Sequence, residues 1–200
     1  MKLGVLGGTF DPPHMAHLVL AEAARSSLGL ERVLFVPAGD PWRKAGQEIT
    51  PAHHRLAMVR LAVADNPHFE VSTLEVDREG PSYTVDTLAA LAEQYAPDAE
   101  LYLLLGEDAL RDMPNWKQPE RIAALATVVV APRPGGAGPG ALPDSASPEV
   151  AARLVVLDMP VIDISATALR ERARRGLSLH NLVPAAVARY IEEHGLYRRG

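Results

Sequence analysis

The sequence has no cysteine and no long apolar run. Without cysteine, neither disulfide bonds nor thiolate chemistry can contribute to the structure or the activity. No apolar stretch approaches the roughly 20 residues that are needed to cross a bilayer. The short apolar run from Leu3 to Leu6 leads directly into glycines, so we expect no signal peptide, no membrane partner and a cytoplasmic protein.

The sequence also has few aromatic residues and no excess of positive charge. Aromatic side chains make up 5% of the 200 residues, and 20 Lys and Arg stand against 25 Asp and Glu, a formal net charge of −5. This balance lacks the basic footprint of proteins that bind nucleic acids, so we expect no nucleic-acid partner and only small nucleotides as ligands. The apolar share of 48% is typical of a globular domain with one sizeable core.

Short β-like runs alternate with helical patterns along the chain. Alternation of this kind predicts a parallel sheet covered by helices. One helix is expected with Thr50 as its N-cap and Pro51 as its first residue, and another from Pro184 to just before Gly195, where a glycine can end a helix. The predicted strands are Lys2–Leu6, Arg32–Val36, Phe69–Val76, Glu100–Leu105, Thr127–Ala131 and Leu154–Leu157.

The domain organisation is predicted to be simple. A segment at about 132–148 is rich in Pro, Gly and Ser, has no periodicity, and is expected to be a mobile surface loop. The residues that follow it supply one strand and a C-terminal helical portion at about 165–200, too little to form a core of their own. We therefore expect a single domain over residues 1–200, and the sequence is compatible with a homo-oligomer.

The segment Gly7-Gly8-Thr9-Phe10-Asp11-Pro12-Pro13-His14-Met15-Ala16-His17 follows the first predicted strand. Adjacent glycines allow close approach of the backbone to a ligand, and the prolines suit the start of a helix, whose N–H groups and dipole attract anions. His14 and His17 are three residues apart, on one helical face. The segment therefore predicts a phosphate site, with a pair of metal-ligating histidines as the alternative.

Polar residues also follow other predicted strands, where parallel sheets gather their ligands. Arg43 and Lys44 lie in a turn-rich loop after the second strand, and Gly106 and Asp108 follow the fourth. The segment Ile164–Arg170 adds hydroxyls and an arginine near a helix start, all able to bind phosphate. No serine, histidine and aspartate arrangement is evident, so the pattern favours nucleotide chemistry over hydrolysis.

The segment Gly7–His17 resembles the GGxFDPxHxxH signature of the nucleotidyltransferase superfamily, and Ile164–Arg170 resembles its distal ISxTxxR motif. Segments Gly80–Leu88, Gly106–Asp108 and Asn115–Trp116 are similar to those of bacterial nicotinate mononucleotide adenylyltransferases. The resemblance spans essentially the whole chain. It implies a Rossmann-like, doubly wound, mostly parallel sheet of five to six strands with helices on both faces.

The same resemblance implies transfer of the adenylyl group of ATP to nicotinate mononucleotide, with release of pyrophosphate, as a step of NAD biosynthesis. It implies catalytic roles for His14, His17, Lys44 and Arg170. The residues that would contact nicotinate mononucleotide are Lys44, Ser82, Tyr83, Thr84 and Trp116. The residues that would contact ATP are Gly7, Gly8, Thr9, Phe10, His14, His17, Gly106, Asp108, Ser165, Thr167 and Arg170.

Two positions depart from the family pattern. Ala166 stands where a second hydroxyl is frequent, and Pro41-Trp42-Arg43-Lys44 replaces a frequent Pro-Pro-His-Lys. The first departure indicates that the side chain at position 166 makes no essential contact. The second moves the expected basic role from a histidine to Lys44, with Arg43 as a further candidate.

The implied reaction needs no dedicated base. The second pKa of a phosphate monoester is about 6, so the acceptor phosphate is largely a dianion at neutral pH. Catalysis then consists of positioning and charge stabilisation. The sequence offers no all-protein cage for Mg²⁺, so we expect Mg²⁺ to be bound through the phosphates of ATP.

Three alternatives remain open from the sequence. One is an adenylyltransferase for another phosphate acceptor, such as nicotinamide mononucleotide or phosphopantetheine. Another is a non-catalytic nucleotide sensor on the same scaffold. The third is a metal-dependent hydrolase built on His14 and His17, although a third ligand at a convincing spacing is missing from the sequence.

Overall fold

The computed structural model describes residues 1–41, 48–132 and 147–198. Within these ranges, six parallel strands form one sheet. The strands are β1 Lys2–Gly8, β2 Arg32–Pro37, β3 Phe69–Val71, β4 Glu100–Gly106, β5 Ala126–Ala131 and β6 Leu154–Val156. Their order across the sheet is β3-β2-β1-β4-β5-β6.

Helices cover both faces of this sheet, as a doubly wound fold requires. The helices are α1 Met15–Leu28, α2 Ala52–Val63, α3 Thr84–Gln94, α4 Glu107–Asp112, α5 Pro119–Leu125, α6 Pro148–Ala152, α7 Ala166–Arg174 and α8 Ala185–Glu193. One face of the sheet packs against residues of α3, α4 and α5, and the other packs against α1 and α2. The predicted Rossmann-like α/β fold is therefore confirmed.

Successive residues of the central strands point into the two opposite cores. In β4, Leu103 and Leu105 belong to the core under α3, whereas Leu104 belongs to the core under α1. A strand that is buried on both faces needs apolar side chains at nearly every position. This explains the nearly continuous apolar run in β4. The chain reverses its direction of travel across the sheet between β1 and β4, where the carboxyl ends open a crevice for ligands.

The C-terminal helices pack against the main body of the protein. A third apolar cluster joins Leu169 of α7 and Val187 and Ile191 of α8 to Met58 of α2. The core side of α2 is therefore shared between the sheet, through Val59 and Val63, and the C-terminal helices. This packing brings the end of the chain close to the loops that follow β1 and β2.

Several predicted boundaries differ from the structure. The third strand ends at Val71 rather than Val76, because Thr73 and Asp77 close a turn through a main-chain bond of 2.8 Å and a side-chain bond of 2.6 Å. Pro51 precedes α2 as its N-cap instead of starting it. The last helix spans Ala185–Glu193, which confirms the predicted start near Pro184 and the end before Gly195.

The predicted loop at about 132–148 lies mostly outside the described residues, which stop at 132 and resume at 147. At its far end Pro148 begins α6, and Ser147 caps that helix by accepting a hydrogen bond from Val150 N. Across the ranges that the structure describes, no helix is long and apolar enough to span a membrane.

Candidate active site

Two cavities open side by side at the carboxyl edge of the sheet. The larger has a volume of about 440 Å³ and the smaller about 270 Å³. Gly7, Leu105 and Ala109 line both, so the cavities meet at the ends of β1 and β4. A Cβ atom built on Gly7 would meet no heavy atom within 4 Å, so this glycine keeps the junction between the cavities open.

The two histidines of the signature segment line the smaller cavity. His14 is the N-cap of α1, and its ring stacks on that of His17 with centroids 3.7 Å apart and planes 24° apart. The main-chain N–H of His14 donates to Nδ1 of His17 at 3.1 Å. His17 therefore carries its proton on Nε2, which is the arrangement that a neutral donor to a phosphate oxygen needs.

Burial lowers the pKa of His17 well below its ordinary value of 6.5, and the nearby His14 lowers it further. The ring is therefore neutral around pH 7. Phe10 contributes to this burial, because its ring meets His17 edge-on at 5.0 Å and packs against Phe35. The structure places the ring of Phe10 in the core, 2% exposed, so any contact of this residue with ATP would come from its main chain.

The distal motif faces the histidines across the smaller cavity. Ser165 and Ala166 line the cavity at the start of α7, and the hydroxyl of Ser165 caps the helix by accepting Ala168 N at 3.2 Å. Thr167 is exposed, and its hydroxyl accepts a bond from Arg170 Nη2 at 3.3 Å. Arg170 Nη1 also donates to the main-chain oxygen of Asp11 at 2.8 Å, joining the two motifs.

Two more predicted ATP contacts lie where β4 ends. Gly106 is the N-cap of α4 and lines the smaller cavity. Asp108 lies in the first turn of α4 with an exposed side chain, next to Ala109, which lines both cavities. Gly8 and Thr9 line the larger cavity rather than the smaller one, so the signature segment borders both spaces.

The larger cavity gathers the predicted acceptor residues. Ser82, Tyr83, Thr84 and Trp116 all line it. Thr84 is the first residue of α3, and the helical bonds begin with Asp86 N and Thr87 N donating to Tyr83 O, so the N–H groups of Thr84 and Val85 precede that ladder. N–H groups at this position in a helix are suited to binding a carboxylate.

Trp116 forms a fixed aromatic wall of this larger cavity. Its indole Nε1 donates to Asp112 Oδ2 at 2.8 Å, and its ring packs against the core under α3. A tryptophan held at one edge presents a flat face on which a heteroaromatic ring can stack. Lys44, the remaining predicted site residue, lies outside the described residues, as do Arg43 and Arg133.

A model of the cytidylyltransferase-like family matches residues 5–172. The chain belongs to this family. Its curated relatives include a protein of Roseiflexus sp. (strain RS-1), 50% identical over 198 residues that cover 98% of each chain. Another, from Thermomicrobium roseum, is 47% identical over 197 residues, 98% of this chain and 92% of the relative. Both are named probable nicotinate-nucleotide adenylyltransferase, which confirms the family resemblance of the motifs.

Solved structures show the same fold at low sequence identity. Nicotinic acid mononucleotide adenylyltransferase of Plasmodium falciparum, complexed with NaAD, superposes with a TM-score of 0.78 at 18% identity, over 98% of this chain and 97% of that one. The same enzyme complexed with APC gives a TM-score of 0.76. The cytidylyltransferase-like fold is thus retained where most side chains differ.

Sequence reasoning missed Glu75, a buried carboxyl group in the wall of the larger cavity. Thr87 Oγ1 donates to Glu75 Oε1 at 2.6 Å, and burial raises the pKa of this carboxyl. Ser82 Oγ in turn accepts Gly39 N at 3.1 Å, and a Cβ on Gly39 would collide with the main-chain oxygen of Glu75. In the sequence, the signal for Glu75 is a charged residue between two apolar neighbours, Leu74 and Val76.

Arg55 of α2 was also missed, although it supports the wall of the larger cavity in this cytidylyltransferase-like protein. Its side chain is 2% exposed, and its guanidinium donates to four main-chain oxygens. These are Thr50 O at 2.8 Å, Thr9 O at 2.9 Å, Ala38 O at 2.6 Å and Gly39 O at 3.1 Å. The loops that follow β1 and β2 are therefore held together by one side chain.

Lys117 lines the larger cavity next to Trp116. Its Nζ donates to Asp86 Oδ2 at 2.8 Å and lies 4.6 Å from the centroid of the Tyr83 ring.

Within the described ranges, no group of three or more His, Asp and Glu side chains could hold a metal ion.

Proposed function

We propose that this protein transfers the adenylyl group of ATP to nicotinate mononucleotide, giving nicotinate adenine dinucleotide and pyrophosphate, as a step of NAD biosynthesis. The observation that carries the proposal is the pair of cavities that meet at Gly7. One offers phosphate donors, and the other offers an aromatic wall and a helix N-terminus. The names of the full-length relatives support the same assignment.

The acceptor nucleotide fits the chemistry of the larger cavity. Its pyridine ring stacks on Trp116, and its carboxylate receives the main-chain N–H groups at the start of α3 near Thr84. The cavity volume of about 440 Å³ lies within the range of small-molecule sites. The 5′-phosphate then points towards Gly7 and the smaller cavity.

ATP occupies the smaller cavity in this proposal. His14 and His17 bind its phosphates from one side, and Ser165 with the start of α7 closes the other. Gly106, at the end of β4, has no side chain, so the nucleoside can approach the main chain of the cavity wall closely. The α-phosphorus is thereby brought to the junction that the two cavities share.

The reaction is an in-line displacement. An oxygen of the acceptor phosphate attacks the α-phosphorus of ATP, and the bond from that phosphorus to the bridging oxygen breaks, releasing pyrophosphate. The acceptor phosphate needs no base because its second pKa is about 6. The protein contributes the Nε2–H of His17 and the guanidinium of Arg170, with Lys44 as a further cation, to stabilise charge on the phosphate oxygens.

Magnesium is expected to enter with ATP. The cavity walls offer imidazole, hydroxyl and main-chain donors rather than a cluster of carboxylates, a set that suits phosphate more than a dedicated magnesium cage. Bound to the phosphates, Mg²⁺ neutralises negative charge. The described residues of the protein bind and orient the phosphates around it.

Pyrophosphate release, measured with ATP and each candidate acceptor, tests the proposal. Nicotinate mononucleotide is expected to give the highest kcat/KM, above nicotinamide mononucleotide and phosphopantetheine. Turnover of another phosphate ester without turnover of nicotinate mononucleotide would overturn the assigned acceptor. ATP binding with no product from any acceptor would instead favour a nucleotide sensor.

A further inference from the structure

The end of the chain reaches back to the signature segment. Tyr197 OH donates to Asp11 Oδ1 at 2.6 Å, across 186 residues of sequence. Asp11 is itself buried, 2% exposed, and its other carboxylate oxygen accepts Thr50 N at 3.2 Å. The aspartate of the signature is therefore held by the C-terminal segment and by Thr50, which precedes the N-cap of α2.

The same aspartate holds the arginine of the distal motif. Arg170 Nη1 donates to the main-chain oxygen of Asp11 at 2.8 Å, so Tyr197 and Arg170 bind two different atoms of one residue. Thr50, which also contacts Asp11, is fixed by Arg55 Nε through its main-chain oxygen. A displacement of Asp11 would consequently be transmitted directly to Arg170.

The backbone at Tyr197 adopts a conformation that non-glycine residues rarely adopt. Its φ is +65°, in the left-handed region, shortly after Gly195 at +61°. A tyrosine is retained in this region only where the surroundings hold it there, and such residues cluster at functional sites. Here the surroundings are the bond to Asp11 and the apolar cluster of α2, α7 and α8.

Tyr197 keeps its hydroxyl proton around neutral pH. Burial raises the pKa of its hydroxyl far above the usual range, and the carboxylate of Asp11 raises it further. The hydroxyl therefore donates to Asp11 around neutral pH. A donor of this kind suits the positioning of a loop.

We propose that Tyr197 is a positioning residue of the ATP site, whose hydroxyl holds Asp11 and, through it, the guanidinium of Arg170 in place for the phosphates. Tyr197 itself need not touch a substrate. This inference rests on the proposed function, in which Arg170 acts on the phosphates of ATP. Neither cavity has Asp11 or Tyr197 among its lining residues, so the direct route from Tyr197 to the ATP site runs through Asp11 and Arg170.

The test compares Tyr197→Phe with the matched control Tyr190→Phe. Tyr190 lies on α8, and its hydroxyl bonds to His54 Nδ1 at 2.9 Å, away from both cavities. Each substitution removes one hydroxyl from the same part of the chain. We expect Tyr197→Phe to lower kcat/KM for ATP by about tenfold while KM for nicotinate mononucleotide changes by less than about twofold. Tyr190→Phe is expected to leave both values at wild-type level.

A double variant tests the route through Arg170. If Tyr197 acts by positioning Arg170, adding Tyr197→Phe to Arg170→Ala produces less than about a twofold further loss, because the two substitutions disrupt one pathway. A fully additive loss would overturn this route. Equal losses in Tyr197→Phe and Tyr190→Phe, or a wild-type kcat/KM for ATP in Tyr197→Phe, would reduce Tyr197 to a structural residue.

Two further measurements distinguish a loss of positioning from a loss of folded protein and from a wrongly assigned acceptor. Thermal unfolding of both variants, with assays well below the lower Tm, excludes a trivial loss of folded enzyme. Calorimetric titration with ATP alone repeats the comparison without an acceptor, and Tyr197→Phe is expected to bind ATP more weakly than Tyr190→Phe. If another phosphate ester proves to be the acceptor, the assigned function fails while this comparison still decides the role of Tyr197.

Discussion

The main-chain N–H of His14 donates to Nδ1 of His17, and the two imidazole rings stack 3.7 Å apart. This contact makes one histidine dictate the tautomer of the other. With Nδ1 occupied as an acceptor, Nε2 of His17 carries the proton, and burial keeps the ring neutral. In the proposed reaction, a neutral, oriented donor of this kind stabilises charge on the phosphate oxygens.

Replacing His17 should affect catalysis more than folding. His17→Ala removes the Nε2–H donor, and we expect kcat to fall by about 10²- to 10³-fold, as for other lost donors to a charged transition state. His17→Gln carries an amide N–H at similar reach and should retain more of the rate. Steady-state pyrophosphate release checks both, and a wild-type kcat in His17→Ala would contradict this role.

The lowered pKa of His17 predicts a pH-dependent stability. The folded protein keeps His17 neutral, whereas the unfolded chain protonates it at its ordinary pKa of 6.5. The unfolded state therefore binds more protons below that pH, and the free energy of unfolding falls as the pH falls from about 7 towards 5. Urea unfolding across this range should show a smaller fall in His17→Gln than in wild type. His180→Asn, at an exposed position, serves as the control for a histidine lost from the surface.

Gly7→Ala is expected to separate folding from function. The added methyl group would enter open space at a residue with an ordinary φ, so Tm should stay the same or rise slightly. The methyl group would also stand between the two cavities, and kcat should fall because the two phosphates are kept apart. Each substrate alone should still bind in calorimetry. Full activity in Gly7→Ala would place the reaction elsewhere.

Trp116→Ala should weaken binding of the acceptor and spare ATP. Stacking of a ring on an aromatic side chain contributes about 0.5–1.5 kcal/mol beyond area burial, so KM for nicotinate mononucleotide is expected to rise about tenfold. Trp116→Phe keeps a smaller aromatic face and should have an intermediate KM. An unchanged KM for the acceptor with a raised KM for ATP would reverse the assignment of the two cavities.

Arg55→Met is expected to destabilise the protein by about 3–5 kcal/mol, because four main-chain oxygens lose a buried cationic donor at once. Urea unfolding measures the change. Arg60→Met, at an exposed position of the same helix, is the matched control and should change stability by less than about 0.5 kcal/mol. Similar effects in the two variants would remove the argument for Arg55 as the residue that joins the two loops.

Short-range features of this protein were predictable from the sequence. All six strands were predicted, and errors at their ends arose where local turns, such as that of Thr73 and Asp77, compete with pairing. The signature segment, the cap at Ser165 and the end of the last helix before Gly195 follow from the same local rules. These features depend on the conformational preferences of neighbouring residues, which the sequence displays directly.

Long-range contacts decided the rest. The sequence by itself determined the fold class, the family and the main segments that border the two cavities. Only the tertiary structure decided that Phe10 turns its ring into the core, that Arg55 binds four carbonyls, and that Tyr197 bonds to Asp11. Every residue carries a carbonyl group, so a buried arginine that binds carbonyls leaves no partner pattern in the sequence. The bond from Tyr197 likewise exists only after α7 and α8 have packed against α2.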